Sequence, residues 1–142
     1  MKYIVDTNVV SETSKPTPHA GCVAWLLAHA HDCCITTVTL AEMRYGLERL
    51  PEGKKKRDLA RRYDFLRQEF GDWVLDFDEN AATEFGRYVA EYEADRGVGA
   101  VEGADLRYFQ IAAIARSRGW TVATRNISDF PFVDTVNPFA SE

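Results

Sequence analysis

Oxygen-bearing side chains stand at several points in this sequence where a predicted strand or helix meets a loop. Asp6 follows the apolar segment "KYIV", and Glu42 lies in the first turn of a predicted helix. Asp105 begins the apolar helix "LRYFQIAAIA", while Asn126 and Asp129 follow the apolar segment "WTVAT". Carboxylate and amide oxygens are ligands for hard divalent cations. The sequence therefore raises the question whether these side chains meet in the fold.

A cluster of carboxylates is unfavourable on its own. Like charges within a few ångströms raise each other's pKa and favour protonation, unless a cation lies between them. Oxygen-only ligands select Mg²⁺ or Mn²⁺, which can activate water and stabilise a phosphodiester under in-line attack. Where two such ions bind, they sit about 3.5–4 Å apart. The expected chemistry of a joined site is metal-assisted hydrolysis of a phosphodiester.

Each of these residues also has an ordinary structural interpretation. Asp6 could cap a turn through "DTN", and Glu42 could complete a capping box with Thr39. Asp105 could be a plain helix cap, since helix starts favour acids. The polar residues after "WTVAT" could be turn residues. Their shared position at the ends of predicted elements is what favours the functional interpretation.

Five short apolar segments predict strands, namely "KYIV", "CITTV", "WVLDF", "WTVAT" and "FVDTV". Apolar residues at helical spacing between them predict helices, as at Leu59, Tyr63 and Leu66, and Gly119 is a predicted helix end. Loops are predicted between "KYIV" and Val23 and at "DRGVGAVEG". This alternation predicts one three-layer α/β/α domain over residues 1–142 with a small parallel sheet. In such sheets a ligand binds beyond the carboxyl ends of the strands, at the switch point of the winding.

The bulk composition is that of an ordinary globular protein of 142 residues, with 46% hydrophobic and 27% charged residues. The start "MKYIVDTNVV" has no long apolar run before its first acid, so neither a signal peptide nor a membrane anchor is expected. The 3 cysteines show no paired spacing, which suits a reducing cytoplasm. The net charge of -5 argues only weakly against a nucleic-acid partner.

The charge is unevenly distributed along the chain. Residues 48–67 contain 8 Lys and Arg against 4 acids, whereas residues 72–105 contain 10 acids against 2 Arg. The basic stretch is either a solvated helix face or a surface that contacts phosphates beside an acidic pocket. The candidate phosphate-binding residues are Lys54, Lys55, Lys56, Arg57, Arg61, Arg62 and Arg125.

Several motifs together resemble one family. The segments "YIVDTNVVSE", "TTVTLAEMRYGLERLPEGKKK", "IAAIARSRGWTVATRNISDF" and "VNPF" are similar, in the same order, to PIN-domain toxins of the VapC/FitB type. The resemblance implies a PIN fold and a Mg²⁺- or Mn²⁺-dependent endoribonuclease, the toxin of a type II toxin–antitoxin system. It also implies homodimers held inactive by a cognate antitoxin, which binds operator DNA. The RNA target is not implied.

By position, the resemblance makes Asp6 and Glu42 the first and second acids of the site. Asn126 matches a position that holds Asp or Asn in the family, and Asp129 matches the acid of the "DF" pair. The sequence departs from the family at the third acid. The family usually has Asp three residues before "IAA", where this chain has Tyr108. Asp105 lies one helical turn earlier, displaced by about 4.5 Å along the helix axis and about 60° around it.

Two explanations of this departure compete. Either Asp105 replaces the missing ligand, through a shifted helix start or a bridging water, so that Asp6, Glu42 and Asp105 hold the metal. Or the third ligand is lost, and the protein is a weakly active subunit that acts mainly with its antitoxin as a DNA-bound repressor. Zinc binding at "HAHDCC" is not expected, because a helix end running into a strand points neighbouring side chains apart.

Overall fold

A parallel sheet of five strands forms the centre of the computed structural model, which describes residues 2–140. The predicted domain bounds, 1–142, extend beyond these described residues by Met1, Ser141 and Glu142. The strands are β1 (Tyr3–Val5), β2 (Cys33–Thr36), β3 (Val74–Leu75), β4 (Thr121–Ala123) and β5 (Thr135–Val136). Their order across the sheet is β3-β2-β1-β4-β5, and every pairing is parallel.

Helices connect the strands and cover both faces of the sheet. They are α1 (Thr7–Glu12), α2 (Ala20–Ala28), α3 (Thr37–Glu48), α4 (Lys54–Phe70), α5 (Glu79–Arg96), α6 (Val98–Glu102) and α7 (Leu106–Arg118). One core packs α5 and α7 against Ile4 and Val122, and the other packs α1 to α4 against Val5 and Ile35. Ile4 and Val5 belong to different cores because successive side chains of a strand point to opposite faces. The predicted three-layer α/β/α architecture is confirmed.

Two short helices stand where loops were predicted. Helix α1 begins directly after Asp6, whose side chain accepts a hydrogen bond from the backbone N–H of Thr7. Helix α6 follows Gly97, whose φ of 89° lies in the left-handed region. The strands are also shorter than predicted. Strand β2, for example, ends at Thr36, which caps the next helix.

Helix α7 is the most deeply buried helix of the domain. Its residues from Ile111 to Ala115 are all buried, and it packs extensively against α5. It ends at Gly119, as predicted, in a left-handed conformation with φ of 69° that residues with a Cβ rarely adopt. No helix among the described residues combines the length and apolar character that crossing a membrane requires.

Candidate acidic site at the switch point of the sheet

Strand β1 lies at the switch point of the sheet. It pairs with β2 on one side and with β4 on the other, so the chain winds away from it in both directions. In open α/β sheets the crevice beyond the carboxyl ends of two such strands is the usual ligand position. Asp6 follows β1, and Thr124 follows β4, so these two residues stand at the mouth of this crevice.

The carboxylate of Asp6 is buried in a network of hydrogen bonds and is only 5% exposed. The hydroxyl of Thr124 donates to Asp6 Oδ2 at 2.9 Å, and the backbone N–H of Thr7 donates to Oδ1 at 2.8 Å. The side-chain amide of Asn8 donates to Oδ2 at 3.3 Å and approaches the Thr124 hydroxyl at 3.5 Å. These bonds fix the carboxylate across the gap between β1 and β4.

The burial of Asp6 has an electrostatic cost. Desolvation raises the pKa of its carboxyl above the usual value, and the charges of Glu42 and Asp129 raise it further. The hydrogen bonds from Thr7 and Thr124 act in the opposite direction but do not cancel the increase. No Lys or Arg among residues 2–140 forms an ion pair with Asp6. A buried carboxylate beside two other acids is an environment that a cation would stabilise.

Glu42 is not part of a helix cap, which corrects the predicted capping box. The cap of helix α3 is Thr36, three residues before the expected cap Thr39, and its hydroxyl accepts a hydrogen bond from the backbone N–H of Thr39. Thr39 is therefore the third residue of the helix, and Glu42 lies in its second turn. The side chain of Glu42 instead accepts a hydrogen bond from the hydroxyl of Thr7, beside Asp6.

Asp105 is the N-cap of α7, and its carboxylate accepts a hydrogen bond from the backbone N–H of Arg107 at 3.0 Å. It also binds the guanidinium of Arg107, whose Nε lies 3.0 Å from Oδ1 and whose Nη2 lies 2.5 Å from Oδ2. The same guanidinium donates through Nη1 to Glu42. Arg107 thus connects the predicted second and third acids, and it keeps the pKa of Asp105 below its usual value.

Tyr108 is the residue that stands where the resemblance predicts the third acid. Its ring packs edge-on against Phe130, with the ring centroids 5.3 Å apart. Burial raises the pKa of its phenol, and the charges of Asp129, Asp6 and Asp105 raise it further. The phenol therefore lies within the field of the predicted acids, and its neutral form is favoured there.

Asn126 and Asp129 lie in the loop after β4. The backbone N–H of Asn126 donates to the hydroxyl of Thr124, and the N–H of Asp129 donates to the carbonyl of Asn126. Asn126 is exposed and Asp129 is half-buried. The charge of Asp129 contributes to raising the pKa of Asp6.

The donor chemistry of this region fits a hard divalent cation. Asp6, Glu42 and Asp129 offer oxygen atoms only, and the buried carboxylate among them lacks a cationic partner within residues 2–140. In the described part of the chain, however, no three carboxylate, imidazole or thiolate side chains are gathered closely enough to ligate one ion together. Arg107 lies between Glu42 and Asp105, so the protein itself balances half of the charge of these two carboxylates.

A cleft of about 430 Å³ lies between α3 and α7 beside this site. Glu42 and Arg107 contribute to its wall, together with the exposed side chain of Tyr45. An elongated polar ligand could therefore reach the acids along the surface of the protein.

The candidate basic residues differ in their surroundings. On α4, Lys54 and Arg61 pair with Asp58, and Lys56 pairs with Glu52, so part of the positive charge is balanced locally. Lys55 and Arg57 are exposed on the same helix.

Arg62 differs from its neighbours because its guanidinium donates to the carbonyl of Val10 and to the hydroxyl of Thr13. It thereby fastens α4 to the end of α1. The backbone N–H of Arg125 donates to the side-chain oxygen of Asn8, and its guanidinium lies 4.4 Å from the ring centre of Phe139.

Sequence reasoning did not identify four residues of the site: Thr7, Asn8, Thr124 and Arg107. Thr7 and Asn8 belong to the "DTN" motif, which pointed to this segment but not to their roles, because their partners depend on the fold. Thr124 follows β4 directly, so its position at a strand end was an available signal. Nothing in the sequence indicated that Arg107 belongs to the site, because its contact with Glu42 spans 65 positions of the chain.

Comparison with known proteins gives consistent similarities. The sequence matches the PIN domain family over residues 3–134. It is 34% identical over 142 residues to the toxin FitB of Neisseria gonorrhoeae, covering 96% of this chain and 97% of that protein. It is 35% identical over 134 residues to the tRNA(fMet)-specific endonuclease VapC of Shigella flexneri, covering 92% of this chain and 90% of that protein.

The fold is likewise similar to that of a solved toxin complex. The structure of FitAB bound to an IR36 DNA fragment superposes with a TM-score of 0.84 at 33% sequence identity, covering 99% of this chain and 97% of that chain. The sequence and the structural comparison therefore agree over nearly the whole length of the chain.

Proposed function

The chain belongs to the PIN-domain family, and from this premise we propose that it is the toxin of a type II toxin–antitoxin system and cleaves RNA with Mg²⁺ or Mn²⁺. One observation supports this proposal above the others. Asp6 is buried at the switch point of the sheet, beside Glu42 and Asp129, and lacks a cationic partner among residues 2–140. Keeping a carboxylate buried in this way is unfavourable unless it binds a cation in the active state.

The proposed ligands of the metal are Asp6, Glu42 and Asp105, with Asn126 and Asp129 completing the pocket directly or through water. The bound ion would supply an activated water and positive charge beside the scissile phosphate. Thr7, Asn8 and Thr124 would hold the carboxylate of Asp6 in one orientation through the hydrogen bonds described above. A fixed orientation matters because electrostatic catalysis depends on groups that do not have to rearrange during the reaction.

Purified protein incubated with total RNA tests this function. We expect cleavage in Mg²⁺ or Mn²⁺ and none in chelator, because the proposed chemistry requires the ion. The melting temperature should rise in millimolar Mn²⁺, since a ligand that binds only the folded state stabilises it. RNA cut equally well in chelator would contradict the metal-dependent mechanism.

A second candidate function is favoured by the position of Tyr108 and by the Arg107 bridge. In this alternative the acids bind metal poorly, and the chain acts mainly as the antitoxin-binding subunit of a DNA-bound repressor. The same experiment separates the two. Intact RNA together with an unchanged melting temperature in Mn²⁺ would favour the repressor subunit, whereas cleavage with a raised melting temperature would favour the nuclease.

Replacing Asp105 with asparagine tests whether this acid is a ligand or only a helix cap. Asparagine caps a helix about as well as aspartate, so Asp105→Asn should leave α7 intact. We expect it to reduce Mg²⁺-dependent cleavage, because one anionic ligand is lost. Tyr108→Asp should leave cleavage unchanged or increase it, because it restores an acid at the family's usual position. Cleavage rates and melting temperatures of both variants are the measurement; full activity of Asp105→Asn would make Asp105 only a cap.

The proposed partners follow from the same family relationship. A cognate antitoxin would hold the protein inactive and would carry it to operator DNA, and the toxin itself would form homodimers in the cytoplasm. RNA backbone would contact Lys54, Lys55, Lys56, Arg57, Arg61 and Arg125, which could alternatively contact the antitoxin. Arg62 is a weaker candidate than its neighbours, because its guanidinium is already bound to Val10 and Thr13.

A further inference from the structure

Arg107 binds two of the carboxylates that the proposed cation would need. Its guanidinium donates to Glu42 on α3 and to both carboxylate oxygens of Asp105 at the start of α7. This inference rests on the proposed function: we propose that Arg107 and a divalent cation cannot bind Glu42 and Asp105 at the same time. The displaced guanidinium then binds a phosphate of the RNA.

Arg107 and the cation exclude each other because the oxygens of both carboxylates already accept hydrogen bonds. Glu42 accepts a hydrogen bond from Thr7 on Oε1 and from Arg107 on Oε2. Both oxygens of Asp105 face the same guanidinium, at 3.0 and 2.5 Å from its nearest nitrogens. A divalent cation on either carboxylate would compete for the same lone pairs and would repel the guanidinium. One positive group must leave when the other binds.

The exchange is possible because the ion pairs are exposed. The side chain of Arg107 is 46% exposed, and those of Glu42 and Asp105 are each 33% exposed. Ion pairs in contact with solvent are weak and are screened by salt. A cation that binds Asp6 as well gains a further anionic ligand, whereas the guanidinium of Arg107 contacts only Glu42 and Asp105 among these acids.

The released side chain is suited to phosphate. Arg107 contributes to the wall of the cleft between α3 and α7, next to the acids. Its planar guanidinium presents paired donors that match two phosphate oxygens, whereas a lysine would offer only a point charge. The same residue would therefore balance part of the negative charge of the site without metal and position the RNA with metal.

The test compares the wild type with Arg107→Gln, and uses Arg87→Gln as the matched control. Arg87 is also an exposed arginine in an ion pair, but its acidic partner is Glu84, and both residues lie on α5. Mn²⁺ binding is measured directly, from the electron paramagnetic resonance signal of the free ion. We expect Arg107→Gln to bind Mn²⁺ about tenfold more tightly, and Arg87→Gln to match the wild type.

The second readout is RNA affinity in saturating Mn²⁺, with a phosphorothioate RNA of mixed sequence that resists cleavage. Arg107→Gln should bind this RNA several-fold more weakly, and the slope of log affinity against log salt should fall by about 0.7. Opposite changes in metal and RNA affinity are not expected from a merely structural residue. Melting temperatures measured in chelator establish that each variant is folded.

If Arg107→Gln bound Mn²⁺ as tightly as the wild type or more weakly, the competition between Arg107 and the cation would be overturned. If its RNA affinity equalled that of the wild type, the binding of Arg107 to phosphate would be overturned. Either result leaves the proposed nuclease function intact. The absence of Mn²⁺ binding by the wild type and both variants would instead overturn the proposed function together with this inference.

Discussion

Replacing Asp6 with alanine is expected to reduce metal-dependent RNA cleavage by about 10³-fold or more, which is the scale of effect seen when a central catalytic group is removed. Asp6 is the buried carboxylate at the switch point, and it is held by Thr7, Asn8 and Thr124. Alanine removes both oxygens that accept these hydrogen bonds and that would bind the metal. The cleavage rate in Mn²⁺ and the affinity for Mn²⁺ should both fall.

The isosteric variant Asp6→Asn provides the control for folding. The pKa of the Asp6 carboxyl is raised in the folded protein, so its ionisation removes stability as the pH rises from the unfolded to the folded pKa. At neutral pH the wild type carries this cost and the asparagine variant does not. In chelator, Asp6→Asn should therefore melt at or above the wild-type temperature while cleaving no RNA. An active Asp6→Asn protein would refute the assignment of Asp6 as a ligand.

The second large effect is on stability. Phe109→Ala should lower the free energy of unfolding by about 3–5 kcal/mol, because truncating a buried aromatic ring leaves a cavity. Phe109 is 2% exposed, and its ring lies between those of three aromatic residues of α5, at centroid distances of 4.9 to 6.5 Å. Such a loss is a large fraction of the stability of an ordinary domain. Denaturant unfolding followed by circular dichroism measures it.

A matched control lies on the same helix. Leu106 is also apolar and also part of α7, but it is 57% exposed. Leu106→Ala should change the free energy of unfolding by no more than about 0.5 kcal/mol. If the two variants were equally destabilised, the aromatic packing between α5 and α7 would not be what fastens the helix that carries Asp105, Arg107 and Tyr108.

The sequence predicted the architecture well because hydrophobic periodicity and strand–helix alternation determine it directly. The strands were predicted at the correct positions but were predicted too long. Strand β2, for example, ends at Thr36, which also caps α3. Helix α1 was missed because it is a short helix of six residues, too short for periodicity to reveal. Its cap, Asp6, was considered only as a site residue or the cap of a turn. One residue has both roles in the structure: capping α1 and standing at the crevice.

The candidate site was predicted less completely than the fold. The position of an acid at a strand end can be read from the sequence, because parallel strands end at a common edge. The partners of such an acid cannot, since they depend on tertiary geometry. The contact of Arg107 with Glu42 and the hydrogen bond from Thr124 to Asp6 each join distant segments. Whether Asp105 is a ligand stays a prediction, since in the structure it caps α7 and binds Arg107.

The pairing of β1 with β4 has a consequence for how the protein is synthesised. Thr124 and Asp6 are 118 positions apart, so the ribosome completes most of the described chain before this side of β1 can pair. Until then the carboxylate of Asp6 remains hydrated in a nascent chain that has no crevice. For a proposed ribonuclease, this order separates translation from activity. The message and the ribosome are not exposed to a formed catalytic centre while the polypeptide is still short of residue 124.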